Sequence, residues 1–404
     1  MDTKLPVPTF GYAPQPDVAR RGYLDGILKF TILVCGYRIL LDVSYAYLDQ
    51  VFSYQGLFLN KRTAFSNTLS WILLFSCIPA FKRVFDDRTI SGNILSVLIL
   101  FSVIPTITAI SYRSDYDTSY IFLQCVYWVV MFVCWSNIDV IRITSLNRIR
   151  SERFHFFVLI VLSVSVVVYS YINTGLRLHY DLIEVYDIRA EARTFEAPFP
   201  LNYLVSLADN MLPFFAVYAL FQRRYAVLFV TLLVIYVNFS VAGTKQIMFT
   251  IFLGFSGYFV FRDFGRARFL VVAALALAAI SMVQSLYFDS NTLTTLFAYR
   301  VLFIPAELHF SYFSYFQVND ILYFNQSILK WLNVGPEQEN IQFVLGEYSI
   351  GEFSARANNG LFSDAYMNLG GVGMLIFPPL ITLYLRILDG SVEGLDPRIL
   401  FVIT

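Results

Sequence analysis

Residues that could hold a phosphate and move a proton lie close together in the segment 299–309, "YRVLFIPAELH". Arg300 carries a guanidinium fork, which can bind phosphate oxygens bidentately. Glu307 and His309 follow, and a carboxylate or an imidazole is the usual group that removes a proton from a hydroxyl. Arg300, Glu307 and His309 are therefore the catalytic candidates of this segment. The alternative is that Arg300 only snorkels from a membrane edge to water.

A second polar cluster directly precedes an apolar run, in "SARANNGLFSDAYMNLGGVG" (354–373). Four of its side chains could contact a phosphorylated sugar: Arg356, Asn358, Asn359 and Asp364. The arginine would reach a phosphate, the asparagines would bind hydroxyls, and the aspartate is a further catalytic candidate. Three glycines follow and predict close packing of neighbouring helices beneath the site: Gly370, Gly371 and Gly373. The alternative is that the asparagines cap the last helix.

Further cations lie in two other connecting segments. In "EVYDIRAEAR" (184–193), Arg189 and Arg193 share one helical face, and Tyr186 lies beside them. Lys245 occupies the short turn "GTKQ". We predict that these four residues bind substrate, together with Tyr299 beside Arg300. The alternative for 184–193 is a solvated amphipathic helix at the membrane interface.

The composition identifies the class of protein that must position these groups. Apolar residues make up 57% of the 404 residues, and charged residues make up only 14%. Soluble domains carry roughly 25% charged residues, so a soluble protein is excluded. The zero formal net charge also excludes a nucleic-acid partner. We predict an all-α, polytopic integral membrane protein that forms one transmembrane domain over residues 1–404.

Apolar runs of about 18–22 residues, which match the thickness of a bilayer, predict the spans. Ten are predicted: 26–46, 64–81, 92–112, 119–138, 154–173, 203–222, 225–242, 246–261, 269–288 and 364–385. An eleventh would begin at Arg398, and since it stops after "RILFVIT" we expect the chain to continue. The prediction is therefore about 10–11 transmembrane helices.

The distribution of Lys and Arg predicts the orientation. Most of the 29 lie on the cytoplasmic side when the N-terminus is placed in the cytoplasm, and the connections on that side are short and basic. This places two long loops outside, 174–202 and 289–363, the second with interfacial helices. Every candidate site residue then lies near the outer surface of the cytoplasmic membrane.

Several other features favour structural interpretations. The four cysteines lie inside apolar runs and are predicted to be small buried residues rather than disulfides or metal ligands. Arg38 and Asp42, four residues apart in the first span, predict an intramembrane ion pair. Asp115 and Asp117 form an Asp-x-Asp pattern, but a three-residue pattern in a short outer loop is weak evidence for a metal. We expect no metal and no other cofactor.

The order of these features resembles the bacterial O-antigen polymerase (Wzy-type) family of oligosaccharide repeat-unit polymerases. "EVYDIRAEAR" is similar to the tyrosine-and-arginine segment of the family's outer loop. "YRVLFIPAELHFSYFSYF" resembles its membrane-edge arginine followed by a proline and aromatics, and "NNGLFSDAYMNLGGVG" resembles its final outer stretch. Related ligases place a histidine near the asparagine of the last stretch, where this chain has Ala357. His309 and His179 are the substitutes.

The resemblance implies a fold like that of the GT-C membrane glycosyltransferases. It implies that a glycan on undecaprenyl diphosphate is transferred to a second lipid-linked repeat unit on the periplasmic face, with a polysaccharide chain-length regulator as partner. Arginine and lysine would stabilise the leaving diphosphate, and a carboxylate or histidine would take the acceptor proton. A lipid-linked oligosaccharide flippase or an O-antigen ligase is the alternative, and a structural scaffold would have no use for cations at an aromatic outer edge.

Overall fold

The computed structural model is helical throughout the part of the chain that it describes. That part comprises residues 16–53, 58–87, 89–142, 152–178, 188, 191–192, 194–195, 198–243, 267–288, 290–327, 334–336, 339–351, 356–358 and 360–392. The helices are α1 (Pro16–Phe52), α2 (Ala64–Asp86), α3 (Ile90–Tyr112), α4 (Thr118–Asn137), α5 (Glu152–Thr174), α6 (Phe199–Phe221), α7 (Tyr225–Ala242), α8 (Ala267–Tyr287), α9 (Ile304–Val318), α10 (Ile341–Ile350) and α11 (Leu361–Ser391). A π-helical segment, Thr294–Phe303, leads directly into α9.

Eight of these helices are long and apolar enough to cross a membrane: α2 to α8 and α11. A hydrocarbon interior leaves backbone groups no water to bond, so a spanning segment must satisfy them within a helix. The prediction of a polytopic helical membrane protein is therefore confirmed, and these eight helices coincide with eight predicted spans. The first predicted span, 26–46, lies within the longer α1, which is not among the eight. The predicted span 246–261 and residues 398–404 lie outside the described part.

One compact unit contains 1–87, 95–132 and 267–378. In it, α1 packs against α8 and α3, and α9 packs against the π-helical segment and α10. Aromatic rings fill the interior: the Tyr45 ring stacks on Tyr112 at 4.5 Å and meets the edge of Phe303 at 5.1 Å. Such ring pairs contribute about 0.5–1.5 kcal/mol each beyond their buried area. These contacts hold α1, α3 and the start of α9 in one arrangement.

The second compact unit contains 88–94, 133–266 and 379–404. Within it, α5, α6 and α7 pack together around a buried apolar cluster that includes Leu162, Leu212, Phe215 and Ile235. Each helix presents a stripe of apolar residues to the other two, as expected for a helix bundle.

The helix α11 is interrupted at Gly370, whose φ of 57° and ψ of −144° are accessible to glycine alone among common residues. Beyond the interruption, a Cβ on Gly373 would lie 2.1 Å from the carbonyl oxygen of Ala365 in the same helix. At Gly371 a Cβ would make only an ordinary contact with Leu123, at 3.9 Å. Gly370 therefore interrupts the helix, Gly373 is required within the helix itself, and only Gly371 faces a residue of a neighbouring helix.

The segment before 328 bonds one backbone carbonyl and one side chain of α11 just before the interruption. The amide of Leu322 donates to the carbonyl of Met367 at 2.7 Å, and the amide of Phe324 donates to the Asn368 side chain at 2.8 Å. Tyr323 and Phe324 have φ values of 46° and 65°, in the left-handed region that non-glycine residues rarely adopt. This strained turn is held against the break because it supplies these two donors.

The four cysteines are free thiols that are only half-buried, so the prediction that they are buried is wrong. The predicted ion pair in the first helix is confirmed. Arg38, which is fully buried, forms an ion pair with Asp42 and donates to Ser70 Oγ at 2.8 Å, with its guanidinium 5.3 Å from the Trp71 ring. A buried charge is tolerated only when it is paired in this way.

Candidate functional site

Glu307 lies at the centre of a buried hydrogen-bonded cluster. Only 1% of its surface is exposed. Its carboxylate accepts hydrogen bonds from Tyr45 Oη at 2.6 Å, from an Arg113 amino group at 2.7 Å and from Tyr116 Oη at 2.8 Å. These three donors come from α1 and from the turn between α3 and α4, so the carboxylate joins α9 to both. We call Tyr45, Arg113, Asp115, Tyr116 and Glu307 the Glu307 cluster.

Arg113 bridges two carboxylates within this cluster. Besides Glu307 it contacts Asp115, with Nε to Oδ1 at 2.9 Å and an amino group to Oδ2 at 3.2 Å, and Lys61 Nζ also lies 3.2 Å from Asp115 Oδ2. Burial alone would lower the pKa of Arg113, but the Glu307 carboxylate, Tyr116 and Asp115 raise it above its ordinary value. Burial would raise the pKa of Asp115, but the hydrogen bonds from Arg113 and Lys61 hold it below its ordinary value. Burial raises the pKa of Glu307, and the charge of Arg113 and the hydroxyls of Tyr45 and Tyr116 oppose that rise.

The first aspartate of the Asp-x-Asp pattern is therefore an ion-pair partner. Asp117, the second, accepts from the amide and hydroxyl of Ser119 and from Gln317. Within the described ranges, no three or more His, Cys, Asp and Glu side chains are grouped as metal ligands. The contacts of these aspartates are those of a polar turn between two helices.

His309 lies two residues beyond Glu307 and is also buried, with 2% exposed. A Cβ on Gly360 would lie 2.3 Å from its Nε2, so only glycine fits at the residue before α11. Its Nδ1 has no hydrogen-bond partner among the described residues. Burial lowers the pKa of His309 to about 4, so the imidazole is neutral at physiological pH.

The next turn of α9 fixes the segment 356–358. Tyr312 Oη donates to the carbonyl of Ala357 at 2.8 Å, and the amide of Ala357 donates to the carbonyl of Gln342 at 2.9 Å. On either side of this buried alanine, Arg356 and Asn358 are exposed. The Arg356 guanidinium lies 5.1 Å from the centre of the Phe343 ring. Both predicted ligands are thus anchored through the backbone while their side chains face outward.

Asp364 lies in the first turn of α11 and is half-buried. Its Oδ1 is 3.4 Å from the side-chain nitrogen of Asn368, one turn further along the helix. Burial raises the pKa of Tyr312, and the negative charge of Asp364 raises it further, so the two side chains share one environment. The structure thus gathers Glu307, His309 and Asp364 around α9.

Arg300 is exposed on the π-helical segment, and its side chain makes no hydrogen bond or ion pair with any residue that the structure describes. Tyr299, predicted to bind substrate, is instead buried: its ring stacks on Phe52 with centroids 4.3 Å apart and lies 5.5 Å from Phe58. π-helical turns occur frequently at functional sites. The segment therefore packs Tyr299 inward and leaves the Arg300 guanidinium available to a ligand.

Five predicted substrate-binding residues lie outside the described part of the chain: Tyr186, Arg189, Arg193, Lys245 and Asn359. His179 lies outside it as well. Their predicted roles stay predictions.

The sequence reasoning missed Arg113, Tyr45 and Tyr116. A signal was present, since Arg113 directly precedes the acidic and aromatic run "SDYD" at the end of a predicted span. A cation at that position next to a buried carboxylate would have been a candidate partner. What the sequence does not contain is the identity of that carboxylate, which lies 194 residues away.

The fold and these contacts define a multi-pass helical membrane protein with a polar, aromatic site built around α9. Comparison of the chain with models of protein families, with curated protein sequences and with solved structures finds no match.

Proposed function

We propose that the protein is a membrane glycosyltransferase that polymerises undecaprenyl-diphosphate-linked oligosaccharide repeat units into O-antigen or a related surface polysaccharide, on the periplasmic face of the cytoplasmic membrane. The observation that carries the proposal is Arg300: an exposed guanidinium, without a partner among the described residues, in the same unit as Glu307, His309 and Asp364. An exposed cation without a protein partner suits a reaction whose leaving group is a lipid diphosphate.

In the proposed reaction, the bond between the anomeric carbon of the donor glycan and the diphosphate oxygen breaks, and a bond to an acceptor hydroxyl oxygen forms. Arg300 stabilises the negative charge that develops on the leaving diphosphate, and the exposed Arg356 is the second cation for it. Asn358, beside Arg356, binds sugar hydroxyls. The remaining requirement is a group that takes the acceptor proton.

The three candidates for this proton transfer differ in burial, and the difference indicates different roles. Glu307 is 1% exposed and already accepts three hydrogen bonds, so it positions α9 rather than contacting the acceptor. His309 is buried, and a pKa of about 4 makes it a weak base. Asp364 is half-buried at the start of its helix and is the better candidate for the base.

The test is complementation of a deletion strain, with surface polysaccharide resolved on gels and protein quantified in membranes. Arg300→Ala should abolish polymer, and Arg300→Lys should restore it partly because a point charge lacks the guanidinium fork. Arg83→Ala is the matched control, since Arg83 is an exposed arginine of the same unit in the last turn of α2. Normal polymer in Arg300→Ala at normal protein level would refute the role of Arg300.

Asp364 is tested in the same strain with Asp364→Asn, which keeps size and hydrogen bonding but removes the carboxylate. A base predicts that Asn fails nearly as badly as Ala, whereas a structural residue in the first helical turn predicts normal polymer with Asn. Thermal midpoints of the two purified variants separate loss of catalysis from loss of fold.

A lipid-linked oligosaccharide flippase is the second candidate, because α11 is interrupted at Gly370, and interrupted helices form binding sites in transporters. Just before the break, however, the Met367 carbonyl is bonded by Leu322 and the Asn368 side chain by Phe324, and the buried Arg38 is paired with Asp42. The deletion strain distinguishes these functions. Loss of polymer with single repeat units still displayed indicates a polymerase, and loss of all display indicates a flippase or a ligase.

A further inference from the structure

A groove lies at one end of the α5–α6–α7 bundle, far in sequence from α9. It is a shallow groove, open to solvent, with a cavity volume of about 40 Å³. Its lining includes six residues from the three helix ends: His155, Leu159, Phe215, Tyr218, Arg224 and Val227. Nothing in the proposed glycosyltransferase reaction uses these residues.

The lining changes from polar to apolar with depth along the helices. His155 and Arg224 lie near the start of α5 and directly before α7, at the mouth of the groove. Leu159 lies one helical turn, about 6 Å, further along α5 than His155. Phe215 similarly lies about 4.5 Å further into the bundle than Tyr218. An amphiphile, with a polar head and an apolar tail, matches this change from polar to apolar lining. A free anion has no apolar part to contact the deeper residues.

The mouth is cationic. Arg223 and Arg224, both exposed, form the turn between α6 and α7, and Arg153 is exposed near the start of α5. No acidic side chain among the described residues lines the groove. The ring of His155 lies 6.4 Å from that of Tyr218, and a tyrosine with an exposed edge suits the headgroup level of a bilayer.

The turn presents Arg223 in an uncommon backbone conformation. Its φ is 54°, in the left-handed region where glycine is the ordinary residue. Replacement by glycine would therefore relieve backbone strain.

We propose that this groove binds an anionic phospholipid, with the phosphate at Arg223, Arg224 and His155 and the first part of an acyl chain against Leu159 and Phe215. In the predicted orientation this end of the bundle faces the cytoplasm, where anionic headgroups create a negative surface potential. The chain therefore carries a lipid site separate from the proposed substrate site.

The experiment is native mass spectrometry of the purified full chain in a neutral detergent, with dioleoyl phosphatidylglycerol or dioleoyl phosphatidylcholine added. Phosphatidylglycerol should be retained more strongly than phosphatidylcholine. Arg224→Gln should weaken its retention about fivefold, as expected for one surface arginine beside anionic lipid. Arg177→Gln, which removes an exposed arginine just beyond the other end of α5, is the matched control and should leave retention unchanged.

A second variant keeps the test independent of folding defects. Arg223→Gly relieves the left-handed strain and should keep or raise the thermal midpoint while also weakening phosphatidylglycerol retention. Equal retention of the two lipids, or unchanged phosphatidylglycerol retention in both groove variants, would overturn the proposal. Displacement of the lipid by soluble glycerol phosphate would also overturn it, because the site would then recognise a phosphate alone.

Discussion

Removal of the Arg113 charge should destabilise the protein more than removal of the Glu307 charge, although the two residues form one ion pair. Arg113→Gln leaves the Glu307 carboxylate, 1% exposed, without a cation among the described residues. An uncompensated buried charge typically destabilises a protein by about 3–5 kcal/mol. Glu307→Gln leaves Arg113 paired with Asp115 at 2.9 Å, so the loss is that of charged hydrogen bonds, about 1–3 kcal/mol. The double variant should be less destabilised than the sum of the two, because it leaves no charge stranded.

The assay is equilibrium unfolding of the full chain in mixed detergent micelles, with the wild type, both single variants and the double variant compared as a cycle. Arg83→Gln is the control: Arg83 is exposed in the last turn of α2, and its loss should have little effect. The reasoning is refuted if Arg113→Gln costs no more than Glu307→Gln, or if the two effects are simply additive.

Two further predictions concern His309 and the break in α11. Since the pKa of His309 falls from 6.5 to about 4 in the fold, the unfolded chain takes up its proton first, and stability should decline as the pH is lowered from about 6.5 to about 4, by at most about 1.4 kcal/mol per unit. His309→Gln should reduce the difference between thermal midpoints at pH 7 and pH 5; an unchanged difference would contradict the buried neutral imidazole. Gly370→Ala should destabilise the protein by about 1–3 kcal/mol through backbone strain, whereas Gly371→Ala should be nearly neutral, and similar unfolding midpoints for the two would be evidence against the strained break.

The membrane spans could be predicted because a bilayer constrains both the length and the composition of a helix that crosses it. Eight apolar runs read from the sequence match eight helices to within a few residues at most ends. Details that depend on side-chain packing were not predictable. The π-helical turn Ile99–Val103 lies inside α3 without a change in apolar character, and α1 continues well beyond its apolar run in both directions.

The candidate site was predictable in its residue types but not in its pairings. Glu307 and His309 stood out because charged groups are rare in this chain. Their burial depends on Arg113 and Gly360, which local patterns do not connect to α9. Tyr299 shows the converse: its neighbour Arg300 made it a candidate ligand, yet its ring packs on Phe52. The sequence does not indicate whether an aromatic residue next to a functional cation faces the protein interior or the ligand.

The break at Gly370 also resolves a mismatch between helix length and membrane thickness. The 31 residues of α11 would extend about 46 Å as one straight helix, well beyond the roughly 30 Å of a hydrocarbon core. The part after Gly370, up to Ser391, is about 31 Å long and can cross that core without tilting. The shorter part, which begins at Leu361 and carries Asp364 and Asn368, is then not needed for the crossing. A polar group at that end can stay in contact with water without thinning of the bilayer around the protein.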